Sequence, residues 1–112
     1  MPEFDDEINA LRKRVGTLSR RLARIGFVLH GSVMEHYMKC GRAGCGCMSE
    51  PPVLHGPYCD WTRRVEGKTV TVRLTKAQAG TISEWIQNMR NVEAIVSEME
   101  KLTLRAVKLI RR

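Results

Sequence analysis

A chain of 112 residues, 43% hydrophobic and 28% charged, can form one small domain with only a modest core. Its 19 Lys and Arg against 12 Asp and Glu give a formal charge of +7 and a pI near 9.7, which favours an anionic partner such as nucleic acid. No stretch approaches the roughly 20 apolar residues of a membrane span, and the acidic start Glu3, Asp5, Asp6, Glu7 is unlike the basic region of a secretion signal, so a cytoplasmic protein is expected.

From Ile8 the apolar residues run Ile8, Leu11, Val15, Leu18, Leu22, Ile25 and Leu29, stepping by three and four as a heptad seam does, which predicts a helix over residues 5–29. The acidic first turn complements the positive end of the helix dipole, and Gly16 and Gly26 each weaken the helix by about 1 kcal/mol relative to alanine. Arg12, Lys13, Arg14, Arg20, Arg21 and Arg24 follow with no acidic residue between Arg12 and Arg24. This run reads either as a surface for an anionic partner or as the complement of Glu93, Glu98 and Glu100 across an antiparallel helix pair.

Residues 37–60 collect the cysteines, glycines and prolines and read as an irregular, metal-organised loop. Cys40, Cys45 and Cys47 followed by His55 place four metal-ligating side chains at the spacing Cys-x4-Cys-x-Cys-x7-His. Zinc takes four thiolate or imidazole ligands tetrahedrally, so one short segment can supply several only by turning sharply. Gly41, Gly44 and Gly46 permit such turns, and His55 reads as part of a turn before Gly56-Pro57. Cys59 is the alternative fourth ligand, but Tyr58-Cys59-Asp60-Trp61 reads as the start of a strand. The expected cofactor is Zn²⁺, although three thiolates and a histidine could also hold iron. A closed site of this kind is structural and leaves no open coordination position for hydrolysis.

Residues 58–65 and 69–74 predict two strands joined at Glu66-Gly67-Lys68, the second rich in β-branched residues, and residues 33–39 offer a third strand. Thr75 then reads as the N-cap of a long helix over residues 76–110, with a heptad series of Ile82, Trp85, Met89, Val92, Val96, Met99, Thr103, Ala106 and Ile110. Ile86, Ile95, Leu102, Val107 and Leu109 widen its apolar face beyond what one partner helix needs.

The expected fold is α+β: a single domain over residues 1–112 with two long antiparallel heptad helices and a small metal-stapled β-hairpin head (metal loop and hairpin 37–74). The surplus apolar stripe predicts a homodimer through the heptad helices.

The combination Cys40-Gly41-x3-Cys45-x-Cys47, His55-Gly56-Pro57-Tyr58, a Gly67-Lys68-Thr69 hairpin and a Trp85-containing helix resembles a family of small uncharacterised bacterial and archaeal proteins. That family is a domain of unknown function, often encoded near transposases. The position after its His-Gly-Pro-Tyr is commonly aromatic, and Cys59 departs from that pattern, which favours His55 as the fourth ligand. The resemblance implies a metal site and carries no activity.

The leading functional expectation is a non-enzymatic nucleic-acid-binding module, with DNA as the favoured polymer, contacted by Arg42, Arg63, Arg64, Lys68, Arg73 and Lys76. Tyr58 and Trp61 read either as stacking platforms or as filling of the small core. The alternative is a coiled-coil adaptor whose zinc only caps the helices, its basic surface serving an acidic protein partner. No nucleophile, base and orienting group recur in recognisable order, so neither enzyme nor small-molecule substrate is expected. His30 and His36 read as ordinary surface residues, with His36 a spare metal ligand.

Overall fold

The computed structural model describes residues 2–38 and 54–112. In chain order these form helix α1 (Pro2–Leu22), strands β1 (Ser32–Met38), β2 (His55–Val65) and β3 (Lys68–Leu74), and helix α2 (Lys76–Ile110). The three strands make one antiparallel sheet in the order β1-β2-β3, so the described residues form an α+β fold with two helices. It divides into two compact units, one of residues 1–28 with 87–112 and one of residues 29–86.

In the first unit the helices run antiparallel. Ile8, Leu11 and Val15 line the same groove as Leu102, Ala106 and Ile110, while Arg14 and Leu18 share a recess with Glu98 and Leu102. Leu11, Ile95 and Leu102 are buried and form its core. The heptad series expected for α2 is therefore not its buried seam: Ile95 and Leu102 lie inside, whereas Val96 is 48% and Ile110 64% exposed. Ile95 and Leu102 flank the expected series, whereas Val107, which also flanks it, is exposed and Ala106 of the series lines the groove with α1.

α1 ends at Leu22, seven residues before the expected Leu29. Three-residue-spaced bonds from Arg24 N–H to the Arg21 carbonyl and from Ile25 N–H to the Leu22 carbonyl tighten its last turn, both at 3.2 Å. Gly26 then takes φ 83°, which turns the chain out of the helix. The released carbonyls are satisfied by α2, where Asn88 Nδ2 donates to Ile25 at 3.2 Å and to Phe27 at 2.9 Å. Ile25 and Leu29 keep the apolar spacing but lie outside the helix.

In the second unit Cys59, Ala79 and Ile86 are buried. Leu29 N–H donates to the Trp85 carbonyl at 3.2 Å, and Trp61 Nε1 to the His30 carbonyl at 3.0 Å. β2 and β3 turn through Glu66 and Gly67, with φ of 50° and 79°, the two-residue turn whose twist suits a hairpin. Thr75 caps α2 as expected: Gln78 N–H donates to Thr75 Oγ1 at 3.2 Å, and Gln78 Oε1 accepts from Thr75 N–H at 2.9 Å.

Of residues 37–60, expected as an irregular loop, Tyr37 and Met38 belong to β1 and residues 55–60 to β2, while residues 39–53 lie outside the described residues. His55 is thus a strand residue paired with Met38, and the expected turn position is corrected. A bulge follows it: His36 pairs with Tyr58 and Met38 with His55, so Tyr37 alone opposes Gly56 and Pro57. Pro57 has no N–H to give a ladder, which is why a bulge is where a central strand accepts proline.

Candidate functional site

Residues directly opposite in an antiparallel ladder share a face, so the register sorts the sheet into two faces. One carries Val33, Glu35, Cys59, Trp61, Arg63, Val70, Val72 and Leu74, and it is the more buried of the two although Glu35 and Val72 are exposed. The other carries Ser32, Met34, His36, Tyr58, Asp60, Thr62, Arg64, Thr69, Thr71 and Arg73. Through its pairing with Met38 across the bulge, His55 belongs to the second face. Met38 reaches the same face, with its Sδ 4.0 Å from Arg73 Nη2.

At the centre of the second face Asp60 bridges all three strands. Its Oδ2 lies 2.7 Å from His36 Nε2 on β1, and its Oδ1 accepts from Arg73 Nε on β3 at 2.6 Å. The Arg73 guanidinium, and after it the His36 ring, hold the Asp60 carboxyl below its ordinary 3.8. Arg73 also stacks over Tyr58 at 4.4 Å, and the rings of Tyr58 and His36 sit 6.0 Å apart. Arg73 and His36 are thereby both bonded to an acid, with the Arg73 side chain still half exposed. The sequence did not disclose this cluster, whose signal there is the shared parity of Tyr58 and Asp60.

The other expected contacts separate by face. Arg64 lies on the polar face and donates from Nη2 to the Gly67 carbonyl at 2.8 Å, which holds it at the hairpin tip. Arg63 alternates to the opposite face, stacked over Trp61 at 4.1 Å and half-buried. Lys68 sits beside the turn, opposite Val65, and Lys76 opens α2; both are exposed. Where β1 begins at Ser32, the strand edge opens into a cleft of about 580 Å³ bordered by Ser32, Thr62, Arg64 and Thr69 and also by Arg63.

Cys40, Arg42, Cys45 and Cys47 lie outside the described residues. Among the described residues no three His, Cys, Asp or Glu side chains are grouped to hold a metal ion. Cys59 is a free thiol, 4% exposed, paired with Glu35 and Leu74. It stands on the face opposite His55, four residues and roughly 13 Å along the strand.

Comparison with known proteins supplies the family. Residues 8–86 match the Domain of unknown function (DUF6788). The chain belongs to that family. The DUF6788 match spans most of α1, the whole sheet and the first turns of α2, and leaves Gln87–Arg112 beyond it. No curated protein and no solved structure matches the chain. Among the described residues no helix of this DUF6788 protein is long and apolar enough to cross a membrane.

Proposed function

We propose that this DUF6788 protein is a cytoplasmic, non-enzymatic nucleic-acid-binding protein whose β-sheet head is stapled by zinc through Cys40, Cys45, Cys47 and His55. The observation that carries the metal half is the Met38–His55 ladder pair, which brings together the two ends of the cysteine segment. Cys40 is only two residues from Met38, so ordinary chain reach suffices to gather Cys40 and His55 at one point. Cys59, on the other face, is the poorer fourth ligand. When bound, zinc would supply structure: four ligands close its coordination sphere, and metal binding then contributes directly to folding.

The polar sheet face supports the nucleic-acid half. Its one acid among the described residues, Asp60, is already bonded to Arg73 and His36. What it turns outward at the hairpin end is Arg64 with the hydroxyls of Ser32, Thr62, Thr69 and Thr71. Guanidinium and hydroxyl donors without a competing carboxylate suit phosphate oxygens. The +7 charge adds a sequence-independent attraction, and a small antiparallel sheet can lie in a DNA groove. The motif resemblance extends the proposal to a regulatory or mobile-element setting.

The test is a titration of zinc-analysed protein against duplex DNA, single-stranded DNA and RNA at two salt concentrations. Affinity should fall steeply with salt. Arg64→Ala should lower the log–log salt slope by about 1 for each phosphate that it no longer neutralises, whereas Arg63→Ala, which removes a guanidinium that rests on Trp61 at the border of the same cleft, should lower it less. Zinc-loaded protein with no affinity for any of the three polymers at physiological salt would replace this reading with the protein-adaptor one.

A further inference from the structure

We infer that two copies of this chain pair through the helical unit as a four-helix bundle, each α1 lying against the partner's α2, with the two-fold axis along the helices. The first support is a second apolar stripe. At about 100° per residue, Val92, Val96, Met99, Thr103, Val107 and Ile110 fall on one line of α2, roughly 90° around from the Ile95–Leu102 seam that α1 covers. On α1, Ile8 and Val15 are turned the same way, since they line with Thr103, Ala106 and Ile110 an apolar groove of about 660 Å³. Val96, Val107 and Ile110 are exposed large hydrophobics of this stripe. One helical hairpin therefore presents one continuous apolar face, which is half of a bundle core.

Charge selects the second copy as its occupant. Just outside the stripe α1 carries Asp5 then Arg12, and α2 carries Glu100 then Arg111, all exposed and none ion-paired among the described residues. The antiparallel register sets Asp5 level with the last turn of α2, because both border the groove that ends at Ile110. Seven residues further on, Arg12 lies near the level of Thr103, about one turn from Glu100. A two-fold axis along the helices keeps those levels. It brings Arg12 to the partner's Glu100 and Asp5 to the partner's Arg111, each pair occurring twice and each opposite in sign. An axis across the helices would invert the levels and set Arg12 against the partner's Arg111.

Sedimentation equilibrium of the full chain should give a concentration-dependent dimer. Arg12→Glu and Glu100→Arg should each weaken self-association by about tenfold or more, since each places two like-charge pairs in the interface, with helix content unchanged by circular dichroism. Mixing these two variants should restore dimerisation as a heterodimer, in which both pairs are again opposite in sign; charge pairing inside one chain cannot be repaired by mixing. Val96→Glu should give a folded monomer. A wild-type monomer at every concentration, or single-charge variants that do not recover when mixed, overturns the proposal.

Discussion

His55 stands opposite Met38 in the β1–β2 ladder, on the sheet face that Cys59 does not share. The same pair brackets the sequence span that holds Cys40, Cys45 and Cys47, which is the ground on which His55 is proposed as their fourth partner. Cys45→Ser and His55→Ala should each bring bound zinc well below one per chain and loosen the head, seen by elemental analysis and by loss of chelator resistance. Cys59→Ala should keep full zinc and lose only about 1 kcal/mol of apolar burial. Full zinc in His55→Ala together with zinc loss in Cys59→Ala would reverse the ligand assignment.

Asp60 joins β1, β2 and β3 through His36 and Arg73, and its carboxyl is held below its ordinary 3.8 by those two bonds, that of Arg73 being the larger cause. A depressed carboxyl stabilises the fold at pH values above its unfolded value, and the gain is lost as the pH falls through the lower folded value. Asp60→Asn should therefore melt at lower temperature than wild type from neutral pH down to about pH 4, and the two curves should converge below that. Melting temperatures across the acid range decide it: a gap that persists undiminished at the acid end would mean that the amide perturbs packing and that the charge contributes nothing.

Two local devices set the ends of β3. The Thr75–Gln78 capping box satisfies donors at the start of α2, and Thr75→Ala should cost about 1 kcal/mol in urea unfolding. At the other end Glu66 occupies φ 50°, where a side chain of its kind is strained by roughly 1 kcal/mol and asparagine is better tolerated. Glu66→Asn should raise stability by up to about 1 kcal/mol, because Asn-Gly is the preferred pair for this turn. An unchanged or lowered midpoint would mean that Glu66 has a compensating contact.

What the residues disclosed in advance depended on how local the deciding interaction is. Thr75 and the β-branched run Thr69–Val72 act on their immediate neighbours, and α2 and the hairpin appear close to where they were expected. The end of α1 was hidden because Ile25 and Leu29 continue a three-four spacing after Gly26 has already turned the chain. The Asp60 cluster was hidden for a longer-range reason: its members are brought together by register, and the register near His55 is set by a bulge at Gly56-Pro57 that alternation alone does not place. The basic residues show the same limit, since Arg63 and Arg64 are adjacent in sequence yet alternate across β2, one stacked on Trp61 and the other bonded to the Gly67 carbonyl, while both border the cleft beside Ser32. The metal ligands Cys40, Cys45 and Cys47 remain a reading of spacing and chemistry.

Leu102 and Val96 illustrate how two stripes with one periodicity do different work. Leu102 is 4% exposed and shares its groove with Leu11 of α1, so Leu102→Ala leaves a cavity inside one chain. The expected cost is about 2–5 kcal/mol, and it should be the same at every protein concentration, because the packing it removes is intramolecular. Val96 is 48% exposed, so within a single chain Val96→Ala should cost well under about 1 kcal/mol. Urea unfolding at high and low protein concentration separates the two. A Leu102→Ala penalty that shrinks on dilution would place Leu102 in an interface between chains and overturn the assignment of Ile95 and Leu102 as the seam that α1 covers.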